Sequence, residues 1–224
     1  TRKPIRNVYL RLTHPDARLR MSAPARMPLE DIERFVRAHR TWIDRRRERI
    51  ANIPRVAPLT YVTGEAVPLF GKPHQLVVES GSKRASVQIG PDGSLILRVP
   101  PRTDRARREA TIKHFYRAQL QSRIPELISA WEPRMGVSVA DWRIRNMRTR
   151  WGTCNIRARR IWLGLELATR PEQCLEYVVV HEMNHLLERG HTRRFYELMD
   201  SWMPDWRERR EMLSSGFPTI DPDD

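Results

Sequence analysis

Three histidines and a glutamate near the C-terminal end carry the strongest chemical signal in the chain. They lie in Val178-Val179-Val180-His181-Glu182-Met183-Asn184-His185, with His191 six residues further on. On a helix, His181 and His185 stand one turn apart on a single face, so both imidazoles can grip one metal ion from the same side. Glu182 lies between them, in reach of a water on that metal. Hydrolysis needs these three parts: ligands that leave a coordination position open, a metal that acidifies water, and a carboxylate base. Two histidines leave such a site short of the usual three protein ligands. Gly190-His191 offers the third, the glycine being expected to end the helix in a left-handed conformation and turn His191 back. Glu188, Glu197 and Asp200 compete for that role and rank below His191. H-E-x-x-H also recurs by chance on exposed helices. Here the apolar run 178–180, the Gly-His continuation and the apolar-aromatic stripe beyond it speak for a site.

The elements that must position these residues follow from periodicity. Thr169 and Pro171-Glu172 are expected to open the metal helix, with Leu175, Val178, Val179 and Leu186 fixing it to a sheet. Phe195, Leu198, Met199 and Trp202 have helical spacing, and Pro204-Asp205-Trp206 starts a last helix ending near Leu213. Residues 103–131 read as a long helix capped by Thr103, with Ile112, Phe115, Leu120, Ile124, Leu127, Ile128 and Trp131 buried. Pro125 should kink or split it. Packed antiparallel to the His181 helix, it would form the back of the site. Residues 137–144 and 160–165 read as two strands of a hairpin. The second precedes the metal helix, and the resemblance of the H-E-x-x-H motif to that of zincins implies that this strand pairs with an extended peptide by strand addition.

From Arg143 to Arg160 the chain carries seven Arg and no acid. Interleaved with Trp142, Trp151 and Trp162, that composition suits single-stranded nucleic acid, whose bases stack on aromatics and whose phosphates pair with Arg. The other reading puts the tryptophans in the core, and strand alternation favours it.

Residues 6–21 alternate and read as a β-hairpin turned at His14-Pro15-Asp16. Pro28-Leu29-Glu30-Asp31 opens one helix, with Ile32, Phe35, Val36, Trp42 and Ile43 as its stripe and a very basic second half at 44–49. Residues 53–70 read as a linker with short strands. Residues 75–79, 85–89 and 95–99 read as an antiparallel meander joined to the opening hairpin, with turns at Gly81-Ser82 and Pro91-Asp92-Gly93.

Apolar residues make up 40% of the 224 and charged residues 30%, the composition of a soluble globular protein, with no apolar run long enough for a membrane span. The basic start, Thr1-Arg2-Lys3-Pro4-Ile5-Arg6, lacks the apolar stretch of a secretory signal, so a cytoplasmic location is expected. Cys154 and Cys174 form neither a disulfide framework nor a Cys-x-x-Cys cluster, and both read as small buried residues. Cys174 lies roughly 10 Å along the helix from His181, too far to share an ion. The net charge of +14, mostly Arg, favours an acidic partner such as nucleic acid. Many of these Arg alternate with Glu on helices, which is the pattern of a solvated face.

The run Arg148-x-Arg150-Trp151-Gly152-Thr153-Cys154, then Tyr177-Val178-Val179-Val180-His181-Glu182-x-x-His185, His191, Phe195 and Met203-Pro204-Asp205-Trp206, resembles the YgjP-like metallopeptidase domain. The likeness is dense over residues 145–213. Thr153 stands where Ser is commoner, and Asn184 where a small residue is commoner; neither is a ligand. The H-E-x-x-H-x5-H spacing is also similar to that of SprT-like and WLM proteases, some of which cut proteins crosslinked to DNA. The resemblance implies a compact zincin with His181, His185 and His191 on one zinc ion per chain and Glu182 as general base, hydrolysing a peptide or protein substrate. The expected fold is α+β. Residues 1–102 form an antiparallel β-rich region with one basic helix, and residues 103–214 a zincin-like core whose active-site helix packs on a small sheet. Residues 215–224 form a flexible tail. Tyr196, Arg148 and Arg150 are candidate oxyanion stabilisers. Two other functions stay open: a DNA-associated protease of the SprT or WLM kind, and a basic nucleic-acid-binding module with a non-catalytic zinc site.

Overall fold

A computed structural model of the chain describes residues 2, 3, 5, 7–13, 17–51, 58–147 and 150–214. The expected turn at His14-Pro15-Asp16, Arg148 with Thr149, and the tail 215–224 lie outside them. The described chain falls into two compact units, one up to Val56 and one from Ala57 to Ser214. The division therefore comes earlier than residue 102, because the strands between 66 and 99 pack against the helices that follow them.

In the first unit, β1 (Arg2–Lys3) runs parallel to β3 (Arg18–Pro24), and β2 (Tyr9–Thr13) pairs with β3 as the expected antiparallel hairpin, Leu12 facing Leu19. Two helices follow in place of one, α1 (Leu29–Ala38) and α2 (Arg40–Ala51). Glu30 and Asp31 sit in the first turn of α1, where the helix dipole favours acids. The break falls at His39, whose Nδ1 lies 2.8 Å from the Phe35 carbonyl. Leu12 and Ile43 form the buried centre, packed by Leu10, Leu19 and Val36, whereas Trp42 turns outward at 46% exposure.

The second unit opens with β4 (Ala66–Leu69), β5 (Lys72–Ser80), β6 (Ser86–Ile89) and β7 (Leu95–Val99). Their order is β4-β5-β7-β6, with β5 parallel to β7 and β6 antiparallel at the edge. This is not the expected meander, and the sheet is separate from the opening hairpin. Burial explains the order. Leu95, Leu97 and Val99 are buried and take the centre, while β6 is exposed along most of its length.

α3 (Arg105–Met135) lies against β6 and β7. Asp104, not Thr103, is its N-cap, accepting the Arg107 N–H at 2.8 Å, and Thr103 bonds the Pro100 carbonyl instead. The helix continues through Pro125. Pro125 and Gln121 both face solvent, so water can satisfy the Gln121 carbonyl that the missing N–H leaves open.

A third sheet holds β8 (Asp141–Arg145), β9 (Gly152–Asn155) and β10 (Arg160–Gly164) in the order β8-β10-β9. β8 is parallel to β10, and β9, which periodicity did not mark as a strand, is its antiparallel neighbour. The short turn 156–159 makes β9 the hairpin partner, as short connections between strands do. Both edges of β10 are thus paired, so it has no edge to offer a peptide. No helix among the described residues is long and apolar enough to cross a membrane.

The turn between β4 and β5 ties the sheet to the segment leading into the helix that carries His181. The Phe70 N–H donates to the Ala168 carbonyl at 2.8 Å. Gly71 has φ +78°, and a Cβ there would stand 2.9 Å from the backbone nitrogen of Pro171. Gly71→Ala is expected to cost at least about 2 kcal/mol, since both the left-handed backbone and the contact with a rigid Pro resist it. A lower denaturation midpoint at unchanged slope would report it.

Candidate metal centre

α4 (Glu172–Asn184) carries His181, and His185 is its C-cap. Its N-cap is Pro171 with no side-chain cap; Thr169 bonds the Glu166 carbonyl inside a 3-10 turn, Leu165–Thr169. Leu175, Val178, Val179, Val180 and Met183 are all buried, because α4 meets β9 and β10, α3, α5 (Arg193–Trp202) and α6 (Trp206–Ser214). A helix so surrounded buries most of its length, leaving Glu172 and Gln173 of its first turn exposed. Arg123 of α3 meets Glu172, and Trp131 meets Glu176. These contacts step in the same direction along both helices, not in the antiparallel sense expected.

The chain leaves α4 by a tightened turn. The Leu186 N–H donates to Met183, and those of Leu187 and Glu188 to Asn184, each at 3.0 Å. Gly190 does not adopt the left-handed conformation expected of it, because the 185–188 turn has already reversed the chain. Two further bonds set the return. Thr192 caps α5 by accepting the Phe195 N–H at 3.3 Å, and the buried Asn184 side chain donates to the Phe195 carbonyl at 3.0 Å.

The result is convergence. His191 Nε2 lies 3.0 Å from His181 Nε2, and one nitrogen from each of His181, His185 and His191 lies within 4.8 Å of the others. Nitrogens about 2.0–2.1 Å from one tetrahedral zinc stand about 3.3 Å apart, so small rotations of these rings fit that ion. Phe195 is the floor, its ring centroid 5.0, 4.8 and 4.9 Å from those of His181, His185 and His191. The 3.2 Å contact between His185 Nδ1 and the Glu188 carbonyl favours the tautomer that leaves Nε2 for a metal. Burial, then the neighbouring His185 and His191, hold His181 well below the ordinary imidazole value, so it stays neutral as a ligand must.

The competing ligands are occupied elsewhere. Glu197 pairs with Arg193 at 2.7 Å, and Asp200 accepts from the Trp206 indole and pairs with Arg207. Only the Glu188 carbonyl approaches the site. Among the described residues, the three histidines are the one His/Cys/Asp/Glu group close enough to hold an ion.

Glu182 is 4% exposed, and its Oε2 has no hydrogen-bond partner among the described residues. Burial pushes its carboxyl up to about 8, and the charge of Arg150 pulls the other way. Gly152 of β9 lies directly against this side chain: a Cβ there would stand 2.5 Å from Oε1 and 2.7 Å from Cγ. Spacing in the sequence did not mark Gly152, Phe195 or Asn184 as parts of the site. A glycine within a strand marks a close approach by another group, but that sign was hidden for Gly152 because β9 does not read as a strand from its sequence. Of the candidate oxyanion stabilisers, Arg148 lies outside the described residues, Arg150 acts on Glu182, and Tyr196 stacks on His191 with centroids 6.3 Å apart.

Trp151 is buried, as the core reading has it, while Trp142 and Trp162 are half-buried. Both cysteines are free. Cys174 is buried with Sγ 3.6 Å from the Arg209 carbonyl. Cys154 is half-buried, its thiol pushed up to about 12 by burial and by Glu182.

None of the curated proteins compared matches the sequence. The crystal structure of the metallopeptidase zymogen of Pyrococcus abyssi abylysin aligns with 40% of this chain and 90% of its own at 18% identity, with a TM-score of 0.38. That likeness is too slight to bear on fold or mechanism. The sequence model of the YgjP-like metallopeptidase domain matches residues 6–216, a span that holds both the three histidines and Glu182, and the chain belongs to that family.

Proposed function

We propose that the protein is a zinc-dependent peptidase in which His181, His185 and His191 hold one zinc ion per chain and Glu182 is the general base. The observation that carries this reading is the convergence of three ring nitrogens within 4.8 Å of one another, one helical position from a buried carboxylate. A zinc ion bound there supplies an acidified water and polarises the scissile carbonyl. Glu182 accepts the attacking water's proton on its carboxylate and passes it to the leaving amine. Burial strengthens this carboxylate's hold on a proton, which favours taking one from water. Phe195 and Asn184 hold the imidazoles in place.

Substrate pairing moves from β10 to β9. Among the described residues β9 pairs with β10 alone, so its other edge can take an extended peptide by strand addition. Gly152 at its start touches Glu182, which would bring such a peptide to the base.

The test is the zinc content of protein purified without added metal, beside His191→Ala. About one zinc per chain is expected in the parent, with affinity lower by at least about tenfold in the variant. A screen of the zinc-loaded parent against a mixed peptide library should then give cleavage. Failure of the parent to take up zinc when it is offered would end this reading.

A further inference from the structure

Strand register divides the β8-β10-β9 sheet into two unlike faces. Ile144, Ile161 and Leu163 are buried on the side of α4. On the other side, Arg143 and Arg145 of β8 flank Arg160 and Trp162 of β10, because Arg143 is the register partner of Trp162. Arg143 and Arg145 are exposed, and Arg160 and Trp162 half-buried. The guanidinium carbons of Arg145 and Arg160 stand 4.6 and 5.1 Å from the Trp162 ring centre. Two cations thus stack on one indole with no carboxylate paired to either among the described residues. The one acid of this face, Asp141, is spent on Arg143 at 3.1 Å. Between Asp141 and Glu166 the chain has no other acidic residue.

At the outer edge of β8 the same arginines run into a pocket of about 330 Å³, lined by Arg117, Gln121, Trp142, Arg143, Ile144 and Arg145. Arg117 is anchored there by donating to the Ile144 carbonyl at 2.7 Å, which leaves its remaining N–H groups for a ligand.

We infer that this face binds single-stranded nucleic acid, with phosphates on Arg143, Arg145 and Arg160 and bases against Trp162 and the flat guanidinium groups. The chemistry matches in three respects. Guanidinium forks bind phosphate bidentately. Unpaired bases stack on indole and guanidinium planes, which a duplex keeps hidden. A face whose single acid is internally neutralised attracts a regular polyanion. An acidic peptide offers charge but no bases to stack, so it fits the aromatic centre less well.

The experiment is fluorescence anisotropy of a labelled oligothymidylate of about 15 nucleotides, titrated from about 50 to about 200 mM salt. The zinc-loaded parent is compared with Arg143→Gln/Arg145→Gln/Arg160→Gln and with Arg45→Gln/Arg46→Gln/Arg47→Gln on α2, which changes net charge equally. The sheet variant is expected to bind at least about tenfold more weakly, with a log–log salt slope smaller by about 2, three single-strand phosphate contacts at about 0.7 each. The α2 variant should keep most of the affinity, and binding should quench tryptophan fluorescence in the parent more than in Trp162→Phe. Single Arg145→Gln and Arg160→Gln variants, each checked by thermal melting, keep the test sharp if the triple variant folds poorly. Equal losses in the two triple variants would overturn the assignment. So would equal affinity for duplex or polyglutamate, or no binding at the lowest salt. The readout is independent of peptide cleavage, so the peptidase reading can fail while this one stands.

Discussion

Glu182→Gln is expected to lower peptide cleavage by about 10²–10⁴-fold while leaving zinc content and thermal stability close to those of the parent. The amide fills the same buried space but cannot accept a proton. It also removes a carboxyl held at 4% exposure with one unpartnered oxygen, so the variant gains slightly in stability if it changes at all. Initial rates on a peptide cleaved by the parent, with metal analysis of both proteins, decide the matter. Retained turnover would remove Glu182 from the reaction and pass the base role to another group. Loss of zinc together with activity would instead mean that the carboxylate supports the histidines.

A second large effect is expected from a residue that touches no metal ligand. In Gly152→Ala the new methyl group would stand 2.5 Å from Glu182 Oε1 and 2.9 Å from Cδ. Something must shift. The carboxylate is the end of a flexible side chain, whereas the Gly152 backbone is held in register opposite Leu163. The Glu182 side chain therefore yields from Cγ outward, at some cost in stability because it is buried. A base displaced by about 1 Å loses about 10²-fold in rate, because proton transfer needs near-contact geometry. The expected result is a zinc-replete, folded and nearly inactive protein. Full activity in Gly152→Ala would show that the productive position of Glu182 lies away from β9.

How much of this was legible in the sequence follows from the range of each interaction. The histidine cluster was, because His181, His185 and His191 lie within eleven positions and helical spacing alone brings two of them together. The detail of the return was not: residues 185–188 perform the reversal that Gly190 suggests, since a turn closed by successive backbone bonds to Met183 and Asn184 leaves no compositional mark. Helices α3, α5 and α6 could be read from their apolar spacing. Thr103 and Asp104 both qualify as caps by type, and only geometry chose Asp104. The sheets were the hardest. Both β5 with β7 and β8 with β10 are parallel, and such pairing depends on contacts between distant segments that alternation does not encode. β9 escapes periodicity because Gly-Thr-Cys-Asn has weak strand character, and it forms where β10 offers a free edge.

The short span of the histidine cluster bears on how the protein would mature with a metal. Closing a loop of about ten residues costs little chain entropy, whereas bringing β9 to α4 joins segments about thirty positions apart and needs the third sheet in place. An ion captured by residues 181–191 would thus be held before Glu182 is aligned by Gly152. An unfinished chain would carry its metal and still be inert, its own unfolded segments safe from the activity it has yet to complete. If the partly folded chain binds the ion in this way, the metal would stabilise the native state by less than its affinity implies.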